Sequence, residues 1–302
     1  MPSAKFKNQL HLHLLVFIAG FTAILGELIS LEATPLVWYR MVMASFLMYL
    51  FIVFKKIKLK VSKSDLIKFF TAGILIALHW ITFFASIKAA NISIALAMFS
   101  TGAFFASLIE PIFFKRKIIP YEIIFGLLVI VGVFIVVQTE LRFLSGIVLG
   151  ITSALFSTLF AVLNGTFVER HNATVISFYE FIGGVLCMSL FLTFSDHGFS
   201  SSFFEISLSD LFYLAILASV CTAYAFIASV HVMRYISPYS VVLTYNLEPI
   251  YGIVLAVLIF PESEVMDYPF YCGAALIIVT VLMNAILKHR TQNLAHNNTN
   301  KT

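Results

Sequence analysis

The sequence predicts an all-α integral membrane protein, with ten transmembrane helices in two inverted five-helix repeats. Composition, run length and self-similarity predict it. Of the 302 residues, 61% are hydrophobic and 11% charged, with a mean hydropathy of +0.99, whereas a soluble domain carries about 45–50% apolar and about 25% charged residues. The apolar residues fall in runs of about 20, the length a helix needs to cross a hydrocarbon core about 30 Å thick. These runs are too long for the strands of a membrane barrel and do not alternate with period two. Finally, the second half of the chain echoes the first.

Charged and Pro/Gly breaks place the spans at roughly 10–30, 34–54, 66–87, 91–113, 119–138, 143–168, 173–194, 208–232, 238–260 and 268–288. The first is too long for a signal-peptide core and lacks a small-x-small cleavage site, so it is expected to stay as a span. Lys and Arg concentrate on cytoplasmic loops. With the N-terminus inside, that face collects 16 of the 19 basic residues: Lys5, Lys7, Lys55, Lys56, Lys58, Lys60, Lys63, Lys68, Lys115, Arg116, Lys117, Arg170, Arg234, Lys288, Arg290 and Lys301. Lys88 and Arg142 fall outside and Arg40 within a span. Both termini are therefore expected in the cytoplasm, in a multi-pass protein of the inner (cytoplasmic) membrane. Residues 291–302 are expected to form a disordered tail.

Ten spans of about 22 residues leave too little chain for a soluble catalytic, nucleotide-binding or nucleic-acid-binding domain. The net charge of +4 thus reflects topology and not a nucleic-acid partner. Cys187, Cys221 and Cys272 lie in apolar runs and read as small core residues, not as a disulfide framework or zinc site. No Walker loop, Cys-x-x-Cys or His-Glu-x-x-His occurs, so no cofactor and no metal are expected.

The repeat aligns Ala33–Arg40 with Ala173–Glu180 at an offset of 140, keeping Met48 against Met188. Further along, Lys88–Ala95 matches Arg234–Val241 at an offset of 146, and the six extra residues are assigned to the longer Ser-rich loop, about Ser195 to Ser207. The halves divide as 1–138 and 139–290. Five spans per half is an odd number, so the second half enters the membrane from the opposite side. Inverted repeats of this kind serve secondary transporters, which rock two halves about a central site.

Gly20–Gly26 (GFTAILG), Leu36–Arg40 (LVWYR), Leu78–Phe84 (LHWITFF), Leu247–Ile250 (LEPI) and Phe260–Glu262 (FPE) make the chain, over about residues 10 to 288, resemble the EamA branch of the drug/metabolite transporter superfamily. In that family a Glu-Pro motif commonly recurs at the end of both halves. Here Ala103 stands opposite Pro249, and Glu110-Pro111 comes seven to eight residues later. The resemblance implies metabolite or drug traffic, more often export than import.

Charges inside spans are costly and are functional candidates by default; here they are Glu27, Arg40, Glu110, Glu180 and Glu248. Arg40 and Glu180 share one repeat position with opposite sign, each about 9 Å into its helix. A guanidinium suits a substrate carboxylate. Glu180 suits a substrate ammonium or a coupling proton. Structural pairing, for instance of Arg40 with Glu27, is the competing reading. Pro249 frees the Tyr245 carbonyl, so Tyr245, Asn246 and Glu248 form either a polar site wall or a packed kink. His79 and Trp80 sit near mid-depth, as titrating and stacking groups or as satisfied core residues. Tyr39 and Tyr179, beside Arg40 and Glu180, complete the candidate substrate site, with Asn91 and Asn164 as weaker members. Glu110 reads as an interfacial partner of Lys115–Lys117. The 32 Phe residues fit lipid-facing packing or an aromatic cavity.

The expected function is alternating-access movement of a small organic molecule, amino acid-like by preference, with a drug as the variant and a proton as coupling partner. The chain is expected not to be an enzyme. A non-transporting sensor or receptor, or a lipid-acting membrane enzyme, is the rival class. Gly126, Gly132, Gly273, Ala274 and Ala275 permit close helix contact, within one subunit or in a homodimer.

Overall fold

A computed structural model of the chain describes residues 4–299 except 116, 118, 168–169, 196–197, 233–234 and 236–243. Every regular element among the described residues is helical. The order is α1 (Ala4–Leu28), α2 (Ala33–Phe54), α3 (Lys63–Ala89), α4 (Ile92–Phe99), α5 (Gly102–Phe114), α6 (Pro120–Thr139), α7 (Leu144–Gly165), α8 (Ala173–Thr193) and α9 (Leu208–Ala218). A π-helical turn, Ser219–Tyr224, joins α9 to α10 (Ala225–Val232). Then come α11 (Glu248–Ile259), the short α12 (Pro261–Glu264) and α13 (Tyr268–Thr299). Eight continuous or nearly continuous helices are long and apolar enough to cross a membrane, and two shorter apolar ones cover Glu248–Ile259 and Tyr268–Asn284. In hydrocarbon a helix is the open-chain form that satisfies its own backbone, so the apolar runs become rods.

Side chains start these rods. Ser62 accepts from the Asp65 amide at 3.1 Å to open α3, and Ser207 accepts from the Asp210 amide at 3.0 Å to open α9. Asn91 and Asn172 cap α4 and α8 in the same way. At the other end, α5 stops at Lys115 in the left-handed region, φ 50°.

The expected span at 91–113 is present as Ile92–Phe114 and consists of two helices, interrupted at Ser100–Thr101; Pro111 lies inside α5 and makes no break. Residues 238–243 of the ninth span lie outside the described residues, and its described part turns at Asn246–Leu247 before α11. Residues 291–299 of the tail continue α13 as helix.

Contacts between helices survive exchange of the halves. The pair α3–α7 matches α1 with α9 and α10, α3–α8 matches α2 with α9 and the π turn, α4–α7 matches α1–α11, and α6 packs on α13. The interruptions match as well, Ser100–Thr101 against Asn246–Leu247 at the offset of 146. The caps Ser62 and Ser207, however, stand 145 apart. Five of the six extra residues therefore precede α9, and the sixth falls within the segment that holds the π turn, a form that accommodates one more residue than the α-helix allows.

The main core lies among α1, α2, α3, α8 and α9, with Ile24, Leu36, Met41, Phe84, Phe181 and Leu214 fully enclosed. Outside it, α6 turns Ile123, Ile124, Leu127, Ile130 and Phe134 outward. Such a face suits lipid and not water.

Candidate functional site

Arg40 is carried by α2 into the core, where it is 2% exposed. Its Nε donates to Thr222 Oγ1 at 2.8 Å, and its guanidinium carbon lies 3.9 Å from the centroid of the Trp80 ring. Phe84 stands further off, at 5.7 Å. Nη1 is buried and has no hydrogen-bond partner. A buried guanidinium held at Nε, with one face on an indole, keeps a donor edge for something the protein does not supply.

Its surroundings are aromatic. Trp80 packs on Phe181 at 5.5 Å and Phe226 at 6.4 Å, and those two rings meet at 5.2 Å. The acid that interacts electrostatically with Arg40 is Glu248, at the start of α11. Arg40, Trp80 and Glu248, three of the residues expected to bind substrate, thus share one site. Glu27 does not pair with Arg40. It lies near Lys88, whose Nζ donates to the Glu27 and Ile29 carbonyls at 3.3 and 2.7 Å.

Glu180 is fully buried on α8, facing α3 and α7. Asn164 Nδ2 donates to its Oε1 at 2.8 Å, while Oε2 has no partner. Arg40 and Glu180 are therefore separate centres, each satisfied in part by a neutral side chain and each with one unspent atom.

The other expected residues have local duties. His79 Nδ1–H donates to the Ser153 carbonyl at 3.1 Å and meets its hydroxyl at 2.9 Å, while Ser153 Oγ donates back to the His79 carbonyl at 3.1 Å. The ring thereby joins α3 to α7 and stacks on Phe99 at 5.2 Å. Tyr39 donates to the Phe203 carbonyl at 3.2 Å, and Tyr179 to the Leu59 carbonyl at 2.8 Å. Tyr245 shares a hydroxyl pair with Ser229 at 2.7 Å, and Asn246 lies in the turn before α11. Thr222 and Ser153 were not expected; small neutral residues in apolar runs carry no sequence signal.

A small cavity between α5, α6 and α13, lined by Phe104, Glu122, Gly126, Thr280 and Asn284 among others, shares no residue with this site.

Exchangeable halves, helices interrupted at matching points and a half-spent buried cation define a multi-pass membrane transporter of the drug/metabolite class. The chain belongs to the EamA-like transporter family, whose profile matches residues 9–138 and again residues 144–286. A solved structure described only as the crystal structure of a protein superposes with a TM-score of 0.63, covering 94% of this chain and 98% of its own at 13% identity, a likeness of fold alone. No curated protein sequence matches the chain.

Proposed function

We propose that this chain is a secondary transporter that exports small amino acid-like metabolites across the cytoplasmic membrane by alternating access between two inverted repeats, with ten crossings and both termini in the cytoplasm. The observation that carries this reading is the buried Arg40 with an unpartnered Nη1. A substrate carboxylate would accept from that donor edge, in a site where low dielectric strengthens the bond, while Trp80 holds the guanidinium from the other face. Glu180 and Glu248 offer the substrate ammonium a counter-charge, and Glu180 is the proposed carrier of a coupling proton.

The test is a thermal-shift screen of the detergent-purified protein against amino acids, sugars, nucleosides and common drugs. A ligand at 100 times its dissociation constant stabilises the folded state by about 2.7 kcal/mol. The expected hits are zwitterions, lost in Arg40→Ala. Hits confined to neutral or cationic compounds and indifferent to Arg40 would overturn the carboxylate site.

A further inference from the structure

Among the described residues, the π-helical turn Ser219–Tyr224 stands in one repeat only. Its counterpart in the first repeat is the unbroken middle of α3, and the one-residue change of offset across this span, from 145 to 146, is what a π turn accommodates. The turn sits against the residue that breaks the charge symmetry of the halves, Arg40, whose equivalent is Glu180. Thr222 is fully buried there. Its hydroxyl donates to the Leu217 carbonyl, five residues back, at 2.7 Å. A hydroxyl has one proton. With that proton committed to Leu217, the lone pairs of Oγ1 face Arg40 and can only accept, which is how they meet Nε at 2.8 Å.

We infer that the π-helical turn is a positioning element for the anion site and that Thr222 is its positioning residue: by holding Nε, it lays the guanidinium on Trp80 and presents Nη1 to the substrate. This rests on the reading of Arg40 as the substrate-binding cation. Thr222→Val keeps the shape and removes the acceptor. Thr222→Ser keeps the hydroxyl and loses a methyl.

Two measurements test it. In a Trp38→Phe background Trp80 is the sole tryptophan of the chain, and its emission reports the cation on its ring without any ligand. Thr222→Val is expected to shift that emission and Thr222→Ser to leave it unchanged. Second, proteoliposomes are loaded with a radiolabelled mixture of the common amino acids to find one that the wild type carries. Its KM is expected to rise about tenfold in Thr222→Val with kcat retained, and to stay within twofold in Thr222→Ser. Unchanged Trp80 emission in Thr222→Val, or an unchanged KM, overturns the positioning role. If the emission shifts as expected but the wild type carries no amino acid, the functional reading fails and the anion-site role of the turn fails with it.

Discussion

Asp65 and Asp210 hold equivalent places in the two repeats and fasten opposite faces of the molecule. Asp210 accepts from the Ser30 amide and hydroxyl, both at 2.7 Å, tying α9 to the start of α2. Asp65 meets His171 Nε2 at 3.3 Å, tying α3 to the start of α8. The far end of α3 reaches the first face, where Lys88 holds the Ile29 carbonyl, so about 35 Å of helix separates the two clamps. At the buried Asp210, hydrogen bonds to the charged group contribute about 1.5–3 kcal/mol each, and about 1.4 kcal/mol shifts an equilibrium tenfold; the pair of Asp65 with His171 is more exposed and holds its face less firmly. Asp210→Asn is expected to open the Ser30 face and Asp65→Asn the His171 face. With Cys187 and Cys272 replaced by Ala, an impermeant thiol reagent should label Cys221 roughly tenfold faster from the Ser30 side in Asp210→Asn, and faster by a smaller factor from the His171 side in Asp65→Asn. Equal labelling from both sides would show that neither clamp governs opening.

Glu264 joins the halves at one helix end. Its Oε1 accepts from the Ile92 amide and Oε2 from the Ser93 amide, both at 2.8 Å, while Asn91 takes the Ile94 amide at 2.8 Å. Three of the amides that a helix start leaves without partners are thus met by two side chains, one from each half. Glu264 is 1% exposed, so water cannot replace it. Each buried amide left bare costs about 1–3 kcal/mol. Melting temperatures should fall in the order wild type, Glu264→Gln, Glu264→Ala, because Gln keeps one acceptor and Ala none. An Ala variant that melts with the wild type would remove the clamp from the stability account.

The helical fold was legible because hydrocarbon leaves the backbone few choices, so length of apolar run alone nearly determines the element. The interruption at Ser100–Thr101 was not legible, since no charge or proline marks it. There the Thr158 hydroxyl of α7 shares its one proton between the Ala154 carbonyl of its own helix at 2.8 Å and the Gly102 carbonyl at 3.1 Å, a tertiary contact that local sequence does not announce. The π turn was hidden for a related reason. One inserted residue in an apolar run changes no composition, and a weak repeat match assigned it to the loop before α9. Charge inside a span picked out Arg40, Glu180 and Glu248, but their partners depend on which helices meet. Hence Glu27, near in sequence, went to Lys88, while neutral Thr222 and Asn164 took the two central charges.

Gly132 and Gly273 approach each other reciprocally. A Cβ on Gly132 would lie 3.0 Å from the Gly273 carbonyl oxygen and 2.6 Å from Ile277 Cγ1, and one on Gly273 would lie 2.9 Å from the Gly132 carbonyl oxygen. Gly132 and Gly273 are therefore used within the chain, between α6 and α13. Overpacking costs about 1–3 kcal/mol. Gly132→Ala and Gly273→Ala should each lower the melting temperature. Together they should cost less than the sum, since the first already spreads the helices and contacting sites are coupled. Strict additivity in the double variant would mean that the two helices adjust independently.

Glu180 offers the last test, of energetic coupling. Its Oε1 is held by Asn164, which also donates to the Phe160 carbonyl at 3.2 Å, and its Oε2 is bare. Glu180→Gln conserves volume and leaves an amide oxygen for Asn164, so the fold is kept while the capacity to carry a proton is lost. A coupled carrier so altered should still exchange labelled for unlabelled substrate across the membrane, because exchange needs no net proton movement. Its flux driven by an imposed pH gradient should fall to the rate seen with the gradient collapsed. Exchange and gradient-driven flux measured in the same proteoliposomes separate the two. Gradient-driven flux at the wild-type rate in Glu180→Gln would assign the carboxyl to packing between α7 and α8 and leave the coupling to another group.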